Sequence, residues 1–157
     1  DRSSAASDVY KRQGSGIPFS IAAKLANPDK QVYVISGDGA FGFHIADLET
    51  ACREKLQITF IVLNDSAWGM IKAGQTLYYS NRHVGVDFSE IRYDLIAEAV
   101  GCHGEYIIKP DEIKPALERS IESKKASVIN VVVDKNVIPP HFEILAGIWL
   151  EGVEIPS

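Results

Sequence analysis

Three unbroken apolar runs stand out along the chain: QVYVIS (31–36), QITFIVL (57–63) and SVINVVVD (127–134). β-Branched runs of this kind read as strands buried on both faces. Between them apolar residues recur at helical spacing. Ile17, Ile21, Ala22 and Leu25 share one face that ends at Asn27-Pro28. Pro18 suits only a helix start, so Gly14 to Ile17 is expected to be loop or cap. Ile45, Leu48, Cys52 and Leu56 form a second stripe, with Glu49, Arg53 and Glu54 facing outward. A third helix is predicted over 89–100, stopped by Gly101 as a C′ glycine, with a short strand from Gly104 to Ile108. Ile113, Leu117 and Ile121 place a helix over 110–123, and Pro115 inside it is expected to delay or bend it. Residues 66–87, which include Gly69, Gly74 and Gly85, are predicted to be irregular. The final stretch, PPHFEILAGIWLEGVEIPS, carries an apolar helix-like segment expected to pack on a neighbour. Strands alternating with helices predict an α/β, doubly wound, mostly parallel sheet with helices on both faces.

Composition narrows the class. At 157 residues the chain is the size of one domain with a real core. An apolar content of 46% with 24% charged residues describes a globular protein. A formal net charge of -5 with scattered Lys and Arg argues against nucleic-acid binding. The longest aliphatic runs, such as Ile58 to Leu63, are too short to span a bilayer. Cys52 and Cys102 lack metal-type spacing, and no secretory signal is evident, so reduced thiols in a cytoplasm are expected. The first thirteen residues, DRSSAASDVYKRQ, are polar and aperiodic. Residues 1–13 are therefore expected to be a disordered tail or fragment boundary, and 14–157 the folded domain.

Chemistry concentrates at the strand ends. Ligands of an open parallel sheet bind outside the carboxyl ends of its strands. Gly37-Asp38-Gly39 follows the first strand, and Asn64-Asp65 follows the second. Twenty-seven positions separate Asp38 from Asp65, about one loop, helix and return strand. If those strands are neighbours, two carboxylates meet, forming an oxygen site for a hard cation such as magnesium. Gly37 and Gly39 would let backbone amides approach a phosphate, helped by the dipole of the following helix. The bland alternative is a tight turn in which Asp38 caps that helix. A dinucleotide site is a further alternative, since Gly37 to Gly42 matches G-x-G-x-x-G.

GDGAF, ADLETACREKL and QITFIVLNDSAWGMIK together resemble the thiamine-diphosphate signature, a GDG followed some twenty-five residues later by Asn-Asn. GSGIPFSIAAKLANPDKQVYVIS is similar to the segment before GDG in acetolactate synthases and pyruvate oxidases. VGVDFSEIRYDLIAEAVG, KPDEIKPALERSI and VINVVVD resemble the closing elements of the same pyrophosphate-binding domain. The similarity runs from Gly14 to Asp134.

The resemblance implies that Asp38, Asp65 and the Ala67 carbonyl bind magnesium, and that Gly37, Gly39 and Ala40 lie near the diphosphate. Gly69 and Met70 would line the same loop, and Asn64 would brace the strand end. Asp65 departs from the usual second Asn; its carboxylate can still ligate the metal but adds negative charge beside a diphosphate. The apolar wedge that shapes the cofactor in relatives falls at Gln13 here, a second departure. The resemblance further implies thiamine diphosphate chemistry on 2-oxo acids, by decarboxylation or carboligation, or on acyl-CoA substrates. Pyruvate oxidase, benzoylformate decarboxylase and 2-hydroxyacyl-CoA lyase types stay open, as does FAD on the full-length enzyme. The activating Glu is expected in the pyrimidine-binding domain of a second subunit of a homodimer or homotetramer. This chain alone should then be inactive, with no catalytic residue of its own. His44 lies near the GDG loop but reads more simply as a polar loop residue. His83, His103 and His141 show no ligand spacing, while Trp68, Tyr78 and Tyr79 read as aromatic packing.

Overall fold

The computed structural model describes residues 13–137. The expectations for 1–12 and for the apolar segment after 137 lie outside the described residues. The elements are α1 (Gly16–Ala26), β1 (Val32–Gly37), α2 (Asp38–Gly42), α3 (Asp47–Arg53), β2 (Ile58–Asn64), α4 (Gly69–Tyr78), α5 (Tyr93–Ala99), β3 (His103–Ile107), α6 (Ile113–Glu122) and β4 (Ser127–Val132). One 3-10 turn, Pro110–Glu112, leads into α6.

The strands form one all-parallel sheet in the order β1-β2-β4-β3. Ile17 of α1, Phe41 of α2, Leu48 and Ala51 of α3, and Tyr93 and Ala97 of α5 bury one face with Ile58, Phe60, Val62 and Val128. On the other face, Ala116 of α6 packs with Ile107, Ile129 and Val131, joined by Ile113, Leu117 and Ile61. Helices on both faces of a parallel sheet make the doubly wound α/β fold that the alternation predicts. β2 and β4 are central and almost wholly buried, as their continuous apolar runs require.

β1 differs from expectation. It lies at the sheet edge and alternates, with Val32 and Val34 packed against the core while Tyr33 is 48% and Ile35 70% exposed. The reason is tertiary: among the described residues α6 covers the β3–β4 half of that face and leaves the β1 half bare.

Three helix boundaries also move. α1 begins at Gly16, so Pro18 is its third residue, where a missing N–H costs nothing because the first four have no intrahelical partner. α6 starts late, as expected, at Ile113 after the 3-10 turn, which makes Pro115 its third residue, where the same logic lets it stand. The stripe over 45–56 is helical only over the seven residues of α3, with turns on either side of it. Leu56 closes α3 by donating its N–H to Ala51 O at 2.9 Å, past Lys55 at φ +54°.

Residues 66–87 are not irregular throughout, because α4 occupies ten of them. Met70, Ala73 and Leu77 fall at helical spacing, diluted in sequence by Gly69 and Gly74, and of the three Ala73 is buried while Leu77 is exposed. Conversely, the helix expected over 89–100 starts only at Tyr93.

Candidate functional site

The register of β1 and β2 brings the two acidic residues together. Gly37 pairs with Leu63, so the strands finish level, and Asp38 and Asp65 each follow at the carboxyl end. Asp38 is 2% exposed, and the Asp65 carboxyl is close enough to act on its charge. Burial, and next the like charge of Asp65, push the Asp38 carboxyl up to about 7. Asp38 Oδ1 accepts the Gly39 N–H at 2.8 Å. Its Oδ2 is buried without any hydrogen-bond partner. A buried carboxylate oxygen facing a second carboxylate needs a proton or a cation.

Backbone contacts build the opposite wall. Asp65 Oδ1 accepts the Ala67 N–H at 3.1 Å. A Cβ on Gly69 would collide with Asp65 Oδ2, so glycine is what leaves the carboxylate its position. Ser66 turns the chain at φ +54°. Trp68 N–H donates to Val86 O at 2.8 Å and Phe88 N–H to Ser66 O at 2.7 Å, pinning 66–68 against 86–88. Asn64, 6% exposed, accepts the Ser66 N–H at 3.1 Å through Oδ1. Its Nδ2 donates to Ile91 O at 2.9 Å and to Asn130 Oδ1 at 3.0 Å.

The indole of Trp68 lies against Gly39, where a Cβ would come within 2.7 Å of the ring. Trp68 also meets Phe88 edge-on at 5.0 Å and Phe43 at 5.5 Å. These aromatics, with Asp38, Gly42, Ile91 and Tyr93, line a cavity of about 270 Å³. The Tyr93 hydroxyl donates to Asp38 O at 3.2 Å. Burial, and next the charge of Asp38, push that phenol up to about 12, so it remains a donor. On the other side of 66–68, Asn64, Asp65, Ser66, Lys72 and Asp87 help to line a cleft of about 530 Å³.

The structure therefore sets Asp38 of α2 beside Asp65, Gly39 against Trp68 and Gly69 against Asp65, with Asn64 and Ala67 bonded within the same loop; Gly37, Ala40 and Met70 lie on the same elements. Its donors are oxygens, a set suited to a hard cation. Among the described residues no group of three or more His, Cys, Asp or Glu is arranged for a metal. Beyond the two carboxylates, a cation here would draw on backbone oxygen, water or its own ligand. The helix dipole expected after the glycine loop is slight, since α2 is a single turn.

The other singled-out residues sit elsewhere. His44 is exposed, with Nδ1 3.4 Å from Asp47. His83 pairs with Thr76 and His103 with Glu105, while Glu49 and Glu54 face solvent and bind Arg53. Tyr78 and Tyr79 are exposed rather than packed. Cys52 and Cys102, distant in sequence, are neighbours; burial, then the Cys52 thiol, push Cys102 up to about 12. The sequence reading missed Asn130, which is fully buried in β4 between Asn64 and Asp94. Its signal was a lone amide inside an otherwise apolar central strand.

Residues 1–131 match the family model of the thiamine pyrophosphate enzymes, C-terminal TPP binding domain. The chain is 38% identical over 133 residues to the acetolactate synthase large subunit IlvG of Mycobacterium tuberculosis, covering 85% of this chain and 24% of that protein. It is also 38% identical over 121 residues to an acetolactate synthase of Bacillus subtilis, covering 77% and 21%. Among solved structures, the thiamine diphosphate-dependent 4-hydroxybenzoylformate decarboxylase of Rhodococcus jostii RHA1 superimposes with a TM-score of 0.72 at 26% identity, over 77% of this chain and 23% of that one. The chain thus spans about a quarter of the length of the relatives it matches. With the GDG and Asn-Asp strand ends side by side on a doubly wound parallel sheet, the chain belongs to the thiamine pyrophosphate enzymes, as their C-terminal cofactor-binding domain.

Proposed function

We propose that this domain holds the magnesium-diphosphate end of thiamine diphosphate in an acetolactate synthase-like enzyme acting on 2-oxo acids. The observation that carries the reading is Asp38 Oδ2, buried, unpartnered and beside the Asp65 carboxyl. In this reading Asp38, Asp65 and the Ala67 carbonyl ligate magnesium. The Gly39 and Ala40 backbone, with Gly69 and Met70 across the cleft, line the diphosphate. Asn64 holds the strand end, and the aromatic wall of Trp68 and Phe88 keeps bulk water from Gly39. When bound, the cofactor supplies a carbon nucleophile and an electron sink for 2-oxo acid chemistry.

The relatives are about four times longer than this chain, so the aminopyrimidine-activating Glu and most substrate contacts belong to other domains. A pyrimidine-binding domain on a second subunit would complete the site in a homodimer or homotetramer, and the chain alone is inactive. A dinucleotide site is disfavoured, because α2 ends after one turn and offers little of the helix dipole on which that site's pyrophosphate rests. Calorimetry tests the reading. Thiamine diphosphate should bind the chain only with magnesium present; NADH binding without metal would overturn it.

A further inference from the structure

We propose that Asn130 and Asp94 are positioning residues that fix the orientation of Asn64 and, through it, the 64–67 loop of the cation and diphosphate site. The inference rests on the proposed role of that site in holding magnesium and diphosphate. The three side chains form a buried line: Asn64 is 6%, Asn130 0% and Asp94 4% exposed. A carboxamide has one accepting and one donating end, so its usefulness depends on which way it faces. Asp94 only accepts, which turns Asn130 Nδ2 toward Asp94 Oδ1 at 3.3 Å. Asn130 Oδ1 is thereby turned to Asn64 Nδ2 at 3.0 Å. Asn64 Oδ1 is left to take the Ser66 N–H at 3.1 Å and the Ser66 hydroxyl at 3.3 Å. Ser66 is the residue at φ +54° that swings Asp65 and Ala67 into place.

The far end of the line is clamped. Arg92 grips Asp94 with Nε on Oδ1 at 2.9 Å and Nη2 on Oδ2 at 2.5 Å. The same guanidinium lies 3.8 Å over the Tyr106 ring. Tyr106 is the register partner of Asn130 across β3 and β4. Three buried polar side chains in a core that apolar residues could fill are costly unless each partner is met. Here each is met, and the line ends at the one turn whose geometry places Asp65. Ile91 O also accepts from Asn64, so Asn130 supplies the second of two anchors rather than the only one.

The test uses the full chain with magnesium and thiamine diphosphate as probes, and hydrogen exchange at the Ser66 amide as the independent readout. Asn130→Leu and Asp94→Leu should each weaken magnesium binding by about tenfold, the range seen when residues behind metal ligands are lost. Both should speed Ser66 exchange, while amides of Val62 and Ile129 keep their protection. Asp94→Asn retains an accepting oxygen and should stay within about threefold of wild type. Should a leucine variant fail to fold, Arg92→Gln, which unclamps Asp94 from the surface, is expected to speed Ser66 exchange by itself. Unchanged magnesium affinity and unchanged Ser66 exchange in the folded variants would overturn the proposal. So would a loss of protection spread evenly over the β2 and β4 amides. If wild type binds no magnesium-thiamine diphosphate, the reading of the site fails instead, and Ser66 exchange still decides whether Asn130 and Asp94 orient the loop.

Discussion

Replacing Asp65 by Asn isolates the electrostatics of the facing carboxylates. Asp38 is raised from 3.8 to about 7, chiefly by burial and next by Asp65. That displacement corresponds to roughly 4 kcal/mol. Burial persists in the variant while the contributions of Asp65 are lost, so the gain should be a part of that, on the order of 1–2 kcal/mol. Asn keeps an Oδ1 to accept the Ala67 N–H, so that hydrogen bond is retained. The sign follows from linkage. A carboxyl whose folded pKa is raised contributes stability that is complete below 3.8 and lost as pH rises through about 7. Wild type and Asp65→Asn should therefore unfold alike near pH 5, where the folded Asp38 is protonated in both. Above about pH 6 they should separate, with the variant more stable by about 1–2 kcal/mol near pH 8. Urea denaturation without metal measures this directly. Equal stability near pH 8, or a less stable variant, would refute the reasoning. With magnesium present, the variant should hold thiamine diphosphate as tightly as wild type or more so, and a large loss of affinity would contradict that.

Other expectations concern the walls of the site and its support. Gly69→Ala drives a Cβ into Asp65 Oδ2, so magnesium affinity should drop by about tenfold while circular dichroism stays unchanged. Gly39→Ala places a methyl 2.7 Å from the Trp68 ring, so tryptophan emission should shift and stability fall by about 1–3 kcal/mol. Phe41, 2% exposed, is packed edge-on against Phe60 at 5.9 Å and Tyr93 at 5.6 Å, within the same α2 turn as Asp38. Phe41→Ala should cost about 3–5 kcal/mol in thermal or urea unfolding.

The meeting of Asp38 and Asp65 was legible because it depends on few facts. Each polar pair closes an apolar run, and neighbouring parallel strands present their carboxyl ends at the same edge of the sheet. The residues just past their carboxyl ends must then converge, as the Gly37–Leu63 pairing bears out. The bare half of β1 was not legible, since QVYVIS carries the same pattern as a doubly covered strand. Its exposure is decided by where α6 lands, and nothing local to β1 encodes that. α4 was hidden for a different reason. Gly69 and Gly74 lower its helix propensity, and only the Met70, Ala73 and Leu77 spacing supported it. Gly69 is kept by the demands of Asp65 rather than by those of the helix. Asn130 was visible as a letter but not as a function, because its partners Asn64 and Asp94 lie 66 and 36 positions away.

The central claim is that Asp38 and Asp65 together form a cation site for a diphosphate. It is tested most directly by titrating the chain with magnesium at fixed thiamine diphosphate across the pH range from about 5 to 8. An Asp38 carboxyl raised to about 7 must lose its proton when the cation binds. Apparent magnesium affinity should then climb by up to about tenfold per pH unit below 7 and level off above it. Affinity that stays flat across this range, or thiamine diphosphate binding that survives removal of the metal by a chelator, would contradict the claim.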